Sequence, residues 1–134
     1  MKVIVDTSVW SLALRRDKQG SFAPAQELRQ LIHDHRVQMI GPIRQEILSG
    51  IRSESQFKKP RKHLESFPDL PILTKDYVTA AGFFNLCRSK GIQGSNTDFL
   101  ICAVAANNKL SIYTTDKDFE RFSKHIQIVL HDSD

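Results

Sequence analysis

Apolar positions along the chain fall into short β-branched runs that alternate with stretches of helical spacing. Val3, Ile4 and Val5 make a compact run within Lys2 to Asp6, and Val9, Leu12 and Ala13 then recur on one helix face over Ser8 to Leu14. Pro24 suits the opening of a second helix, in which Leu28, Leu31 and Ile32 stand at i, i+3 and i+4 before it ends around His33 to Arg36. Val37 to Ile40 reads as a strand, after which Gly41-Pro42 starts a helix carrying Ile43, Ile47, Leu48 and Ile51 on one side and weakened by Gly50. Residues 53–69 are polar and basic and contain Pro60 and Pro68, which predicts a loop with a broken or short helix. Leu70 to Leu73 reads as a strand, and Thr74 or Asp76 caps a long helix through Ala80, Ala81, Phe84 and Cys87 that Gly91 ends. Phe99 to Ala106 is apolar on all sides, the pattern of a helix surrounded by protein. Leu110 to Thr114 and Gln127 to Leu130 are two closing strands, with a short helix around Phe119 to Phe122 between them.

Strands separated by helices over the full length imply parallel pairing through right-handed crossovers. The expected architecture is a three-layer α/β/α fold around a parallel sheet of four or five strands, one domain over residues 1–134. In such sheets ligands bind beyond the carboxyl ends of the strands, where strand order reverses. Size and composition agree, with 134 residues, 40% hydrophobic and 25% charged. No apolar run approaches the roughly 18 residues of a spanning helix, and Asp6 interrupts the start before a leader core forms, so the expectation is a cytoplasmic protein without a membrane partner. Cys87 and Cys102 lack CxxC spacing and read as buried free thiols.

Charge is uneven. Between Arg44 and Lys62 stand Arg44, Arg52, Lys58, Lys59, Arg61 and Lys62 against two acids, Glu46 and Glu54, so this segment holds the whole net charge of +4. It reads either as a solvated helix face or as an electrostatic footprint for a polyanion.

Four acids change the picture. Asp6 ends the first strand and Asp116 follows the strand Leu110 to Thr114, while Glu46 comes a little over one turn into the helix after Val37 to Ile40. Asp98 starts the buried helix, whose roughly 18 Å length returns the chain to the beginning of the next strand, so the helix start overhangs that strand's end. Taken singly, Asp6 and Asp98 also read as caps, Glu46 as a solvated acid and Asp116 as a turn former. Taken together, all four fall at one edge of the sheet. Converging carboxylates need a cation, and an all-oxygen set without Cys or a placed His favours Mg²⁺ or Mn²⁺ over Zn²⁺. Such an ion activates water, orients phosphate and stabilises the leaving oxygen, which are the requirements of phosphodiester hydrolysis.

Competing chemistry lacks its residues. Ser8 is not in a GxSxG elbow, and no GxxxxGK[ST] or GxGxxG occurs. A phosphatase using Asp6 as nucleophile would want a second Asp two residues on, where Ser8 stands. His33 and His35 point to different helix faces, and His125 and His131 have no partner spacing.

Val3-Ile4-Val5-Asp6-Thr7-Ser8-Val9-Trp10, Gln45-Glu46-Ile47-Leu48, Thr97-Asp98-Phe99-Leu100-Ile101-Cys102-Ala103-Val104-Ala105 and Tyr113-Thr114-Thr115-Asp116-Lys117-Asp118-Phe119 resemble, in order and spacing, the four motifs of PIN-domain ribonucleases, most closely the VapC toxins of VapBC toxin–antitoxin pairs. The resemblance spans essentially the whole chain. It places the acidic, metal-holding site on Asp6, Glu46, Asp98 and Asp116, with Thr115 as a polar neighbour, Asp118 as a fifth acid and Phe119 as packing beneath. It implies a Mg²⁺- or Mn²⁺-dependent endoribonuclease that arrests translation, is homodimeric, and is restrained by a cognate VapB antitoxin that inserts a basic side chain among the acids. With RNA as substrate, the basic residues from Arg44 to Lys62 become backbone contacts. The other reading is a catalytically idle PIN fold that serves as a binding or regulatory module. Cys102 departs from the family's usual Ala, a small change in volume.

Overall fold

The computed structural model describes residues 1–14 and 23–132. Four strands, β1 (Val3–Val5), β2 (Val37–Gln38), β3 (Ser111–Tyr113) and β4 (Val129–Leu130), form one sheet. Its order is β2-β1-β3-β4 and every pairing is parallel. Seven helices join them among the described residues: α1 (Thr7–Leu14), α2 (Ala23–His33), α3 (Gly41–Ser49), α4 (Glu54–Leu64), α5 (Thr74–Ser89), α6 (Asn96–Asn108) and α7 (Asp118–Ser123). The chain leaves β1 toward β2 on one side and leaves β3 toward β4 on the other. Right-handed crossovers therefore put α1 and α2 on one face and α5, α6 and α7 on the other, and they open a crevice at the carboxyl ends of β1 and β3.

Both central strands are hidden on both faces: Val3, Ile4, Val5, Ile112 and Tyr113 are all buried. The apolar stretch expected at the centre is α6, in which Phe99 and Ile101 to Ala105 are buried. Ser95 caps it by accepting from the Asp98 N–H at 3.0 Å, while Asp98 Oδ2 accepts from the Ser95 N–H at 3.2 Å. Beneath its start, Phe99 packs on Phe122 with ring centroids 4.6 Å apart, and Phe119 and Phe84 extend the cluster. Cys87 and Cys102 are buried free thiols, and burial pushes both upward from the ordinary thiol range. Gly91, at φ +77°, ends α5 as expected.

Several expected elements differ. Leu70 to Leu73 is not a strand, because Pro71 removes a donor from the run. Contact with the sheet there reduces to a single parallel bridge between Met39 and Asp69, so the sheet has four strands. Strand Val37 to Ile40 shortens to Val37–Gln38 for the same lack of a partner beyond. Residues 53–69 are not mainly loop. An 11-residue helix runs through Pro60. Pro60 forgoes one backbone bond, but Glu54 at the start and Arg61, Lys62 and His63 at the end complement the helix dipole, and Leu64 is fully buried. Thr74 is not the cap of α5; Asp76 acts from inside the first turn, accepting from the Leu73 N–H at 2.9 Å and from Asn107 Nδ2 at 2.8 Å, which ties α5 to α6.

Candidate functional site

Parallel register builds the crevice. Val3, Ile4 and Val5 pair with Ser111, Ile112 and Tyr113, so Asp6 and Thr114 are the first residues past the strands on each side. The Asp6 N–H still reaches Tyr113 O at 2.8 Å, which fixes the two chain exits side by side. Pro42 lets α3 start directly after β2, bringing Gln45, Glu46, Ser49 and Gly50 to one wall. The start of α6 supplies Thr97 and Asp98 to the other. The result is a cleft of about 700 Å³ in which Asp6, Glu46, Asp98 and Asp116 all line one space.

Each carboxylate is held through one oxygen. Asp6 Oδ2 accepts from Thr114 Oγ1 at 2.8 Å and Ser8 Oγ at 2.9 Å. Glu46 Oε1 accepts from Thr7 Oγ1 at 2.8 Å, Asp98 Oδ2 from the Ser95 N–H, and Asp116 Oδ1 from the Asp118 N–H at 2.9 Å. Among the described residues, the second oxygen of each acid has no hydrogen-bond partner. The four side chains are thus oriented, each with one oxygen left for a further partner. Burial raises the Asp98 carboxyl above the ordinary range. Ser95's backbone and side-chain bonds pull it partly back, and the charges of Asp6 and Asp116 push it up further.

A PIN-domain family description matches residues 3–125. The chain belongs to the PIN-domain family. That family is one of nucleases. Among solved structures, the PIN chain is similar to VapBC2 from Rickettsia felis bound to a DNA fragment from their promoter, at TM-score 0.78 and 15% identity over 98% of each chain. It is also similar to VapBC-1 from nontypeable Haemophilus influenzae, at TM-score 0.71 and 18% identity, covering 99% of this chain and 98% of that one. A third is VapBC-5 from Mycobacterium tuberculosis, described as a member of the VapBC family of toxin-antitoxin systems, at TM-score 0.68 and 19% identity over 98% of this chain and 100% of that one. Comparison with curated proteins returns no match.

The PIN cleft has the donor chemistry for a hard divalent cation: carboxylate oxygens with hydroxyls behind them and no thiolate or imidazole in the lining. Among the described residues, no three His, Cys, Asp or Glu side chains converge into a ligand set as they stand. Burial is the main cause of the raised Asp98 carboxyl, and the charges of Asp6 and Asp116 add to it. Asp6, Glu46, Asp98 and Asp116 are the lining residues that could hold a divalent cation.

Two expected neighbours meet the site through their backbone rather than their side chains. Thr115 reaches the network only through its backbone N–H, which donates to Ser8 Oγ at 3.2 Å. The hydroxyl on Asp6 belongs to Thr114, which also accepts from the Asp116 N–H at 2.9 Å and so bridges two acids. Counting register from Val5 opposite Tyr113 would have singled out Thr114. Asp118 is outside the lining and pairs with Arg121 at 2.9 Å on the surface. Phe119 is fully buried, as packing.

The basic segment divides as well. Arg44 is not a free cation. Its Nη1 donates to Leu64 O at 2.9 Å, its Nη2 to Phe67 O, and its Nε and Nη2 to Asp69 Oδ1 at 3.1 and 3.0 Å, so it clamps the end of α4. Arg52, Lys58, Lys59, Arg61 and Lys62 are exposed, and none of them is in an ion pair among the described residues.

Proposed function

We propose that this PIN domain is a Mg²⁺- or Mn²⁺-dependent endoribonuclease and the toxin of a type II toxin–antitoxin pair, hydrolysing RNA in the cytoplasm and thereby inhibiting translation. The observation that carries the reading is the delivery of four carboxylates, from four distant segments, to one cleft at the reversal point of the sheet, each oriented through one oxygen. When bound, the cation supplies an activated water and neutralises phosphate charge. The chain's own part is to hold that cation by Asp6, Glu46, Asp98 and Asp116, to keep Asp6 and Asp116 in register through Thr114, and to attract RNA with Arg52, Lys58, Lys59, Arg61 and Lys62. Arg52 lies two residues past Gly50, which lines the cleft, so positive charge borders the acidic centre without entering it.

By analogy with the VapBC structures, we assign the chain a VapB-type antitoxin partner; the homodimeric state is proposed from the sequence resemblance alone. An antitoxin Arg placed among the four acids would compete with the cation for the same oxygens.

RNA cleavage by the purified, partner-free chain in Mn²⁺ tests the reading. Asp6→Asn and Asp98→Asn are expected to abolish cleavage while the circular dichroism spectrum is kept. Metal-dependent cleavage retained in both variants overturns it, and no cleavage by the wild type favours the idle module.

A further inference from the structure

A second concavity lies outside the acidic cleft and shares no lining residue with it. It opens between the end of α2 and the second half of α4, holds about 490 Å³, and is lined by Ile32, Lys59, Lys62, His63, Ser66 and Phe67. That volume is in the range of small-ligand sites. Lys59 and Lys62 stand at i and i+3 on α4, so both ammonium groups reach one rim. No acid lines the groove. With Arg44 paired to Asp69, the chain's excess positive charge sits on the exposed residues of this helix and on Arg52 just before it.

The floor is apolar and anchored. Phe67 meets Trp10 edge to face, with ring centroids 5.4 Å apart, and Trp10 is itself buried. The ring is therefore held in place before any ligand arrives, which lowers the entropic cost of binding against it. A simple anion would have no use for Ile32 and Phe67, and an apolar ligand no use for two lysines. A nucleotide carries both a phosphate and a flat base.

We propose that this groove is an RNA subsite that seats one base against Phe67 and Ile32 and the adjoining phosphate between Lys59 and Lys62, holding the strand while another part of it lies in the acidic cleft. The subsite rests on the ribonuclease reading for its choice of RNA over other polyanions. An acidic peptide would satisfy the lysines but has no group to set against Phe67 and Ile32.

The test is binding in EDTA, which silences metal-dependent cleavage and so separates this proposal from the catalytic one. Titrating the full ¹⁵N-labelled chain with oligoadenylate is expected to shift the amides of Ile32, His63 and Phe67. An abasic ribose-phosphate strand of equal length is expected to bind about tenfold more weakly. The Lys59→Ala/Lys62→Ala variant, altered only on the surface, is expected to lower affinity about tenfold and to flatten the slope of log affinity against log salt by about 1. Oligoadenylate that leaves those amides unmoved, or a poly-glutamate peptide that moves them where oligoadenylate does not, overturns the subsite. Cleavage surviving Asp98→Asn would overturn the catalytic reading alone.

Discussion

Thr114 Oγ1 donates to Asp6 Oδ2 at 2.8 Å across 108 positions of sequence, and the same oxygen accepts from the Asp116 N–H at 2.9 Å. One hydroxyl thereby fixes the spacing between the carboxylate after β1 and the loop that bears the carboxylate after β3. Thr114→Val keeps the shape and removes both bonds. It is expected to weaken Mn²⁺ binding about tenfold, as loss of a partner behind a metal ligand does, and Thr114→Ser is expected to restore it. Mn²⁺ titration followed by electron paramagnetic resonance checks this, and equal affinity in Thr114→Val would contradict it.

Asp98 gives a pH dependence with a definite sign. Its carboxyl is raised in the folded chain, so the folded state holds the proton more tightly than the unfolded state does. That contribution to stability is full below the ordinary aspartate range, roughly pH 4, and is lost as pH rises through the raised value. Metal-free Asp98→Asn is therefore expected to melt above the wild type at pH 7 and level with it near pH 3, because the amide oxygen still accepts from the Ser95 N–H. Adding Mn²⁺ at pH 7 is expected to raise the melting temperature of the wild type and not of the variant. Differential scanning calorimetry reads both, and a wild type more stable than Asp98→Asn at pH 7 without metal would contradict the assignment.

Arg44 is expected to matter for stability and not for RNA. Charged hydrogen bonds of this kind contribute about 1.5–3 kcal/mol, so Arg44→Ala should cost about 2 kcal/mol in urea denaturation. Arg44→Lys should fail to rescue it, because one ammonium cannot span the carbonyls of Leu64 and Phe67 and the Asp69 carboxylate. A loss of RNA affinity without loss of stability would return Arg44 to the binding face.

Gly94 sets the approach of the Ser95 cap. A Cβ there would stand 2.6 Å from Phe122 Cζ and 2.8 Å from Phe99 Cε2, inside the packed ring cluster below Asp98. Gly94→Ala is expected to destabilise by about 2 kcal/mol and to reduce cleavage by displacing the start of α6. Denaturation together with a cleavage assay checks it, and unchanged values in both would show that the loop yields freely.

The parts of the fold legible in the sequence are those where one interaction dominates. The all-round apolar pattern from Phe99 to Ala106 identified the buried helix, and the β-branched run at Val3 to Val5 identified the central strand, because burial decides both. The strand expected at Leu70 to Leu73 failed where a missing donor at Pro71 outweighed apolar character. The helix Glu54–Leu64 was hidden because its end charges and the buried Leu64 outweigh the proline within it. For the candidate site, strand-end logic brought the four acids to one cleft. It did not find Thr114, whose role depends on the register of β1 against β3, nor Arg44, whose partners lie 20 to 25 positions away in a segment expected to be mostly loop.

Uptake of Mn²⁺ by the purified, partner-free chain at neutral pH is the most direct measurement of whether the cleft is a metal site. Saturable binding that is lost in Asp6→Asn and in Asp98→Asn, with both variants still folded, is the predicted result. No saturable uptake by the wild type, or uptake undiminished in both variants, would contradict the account.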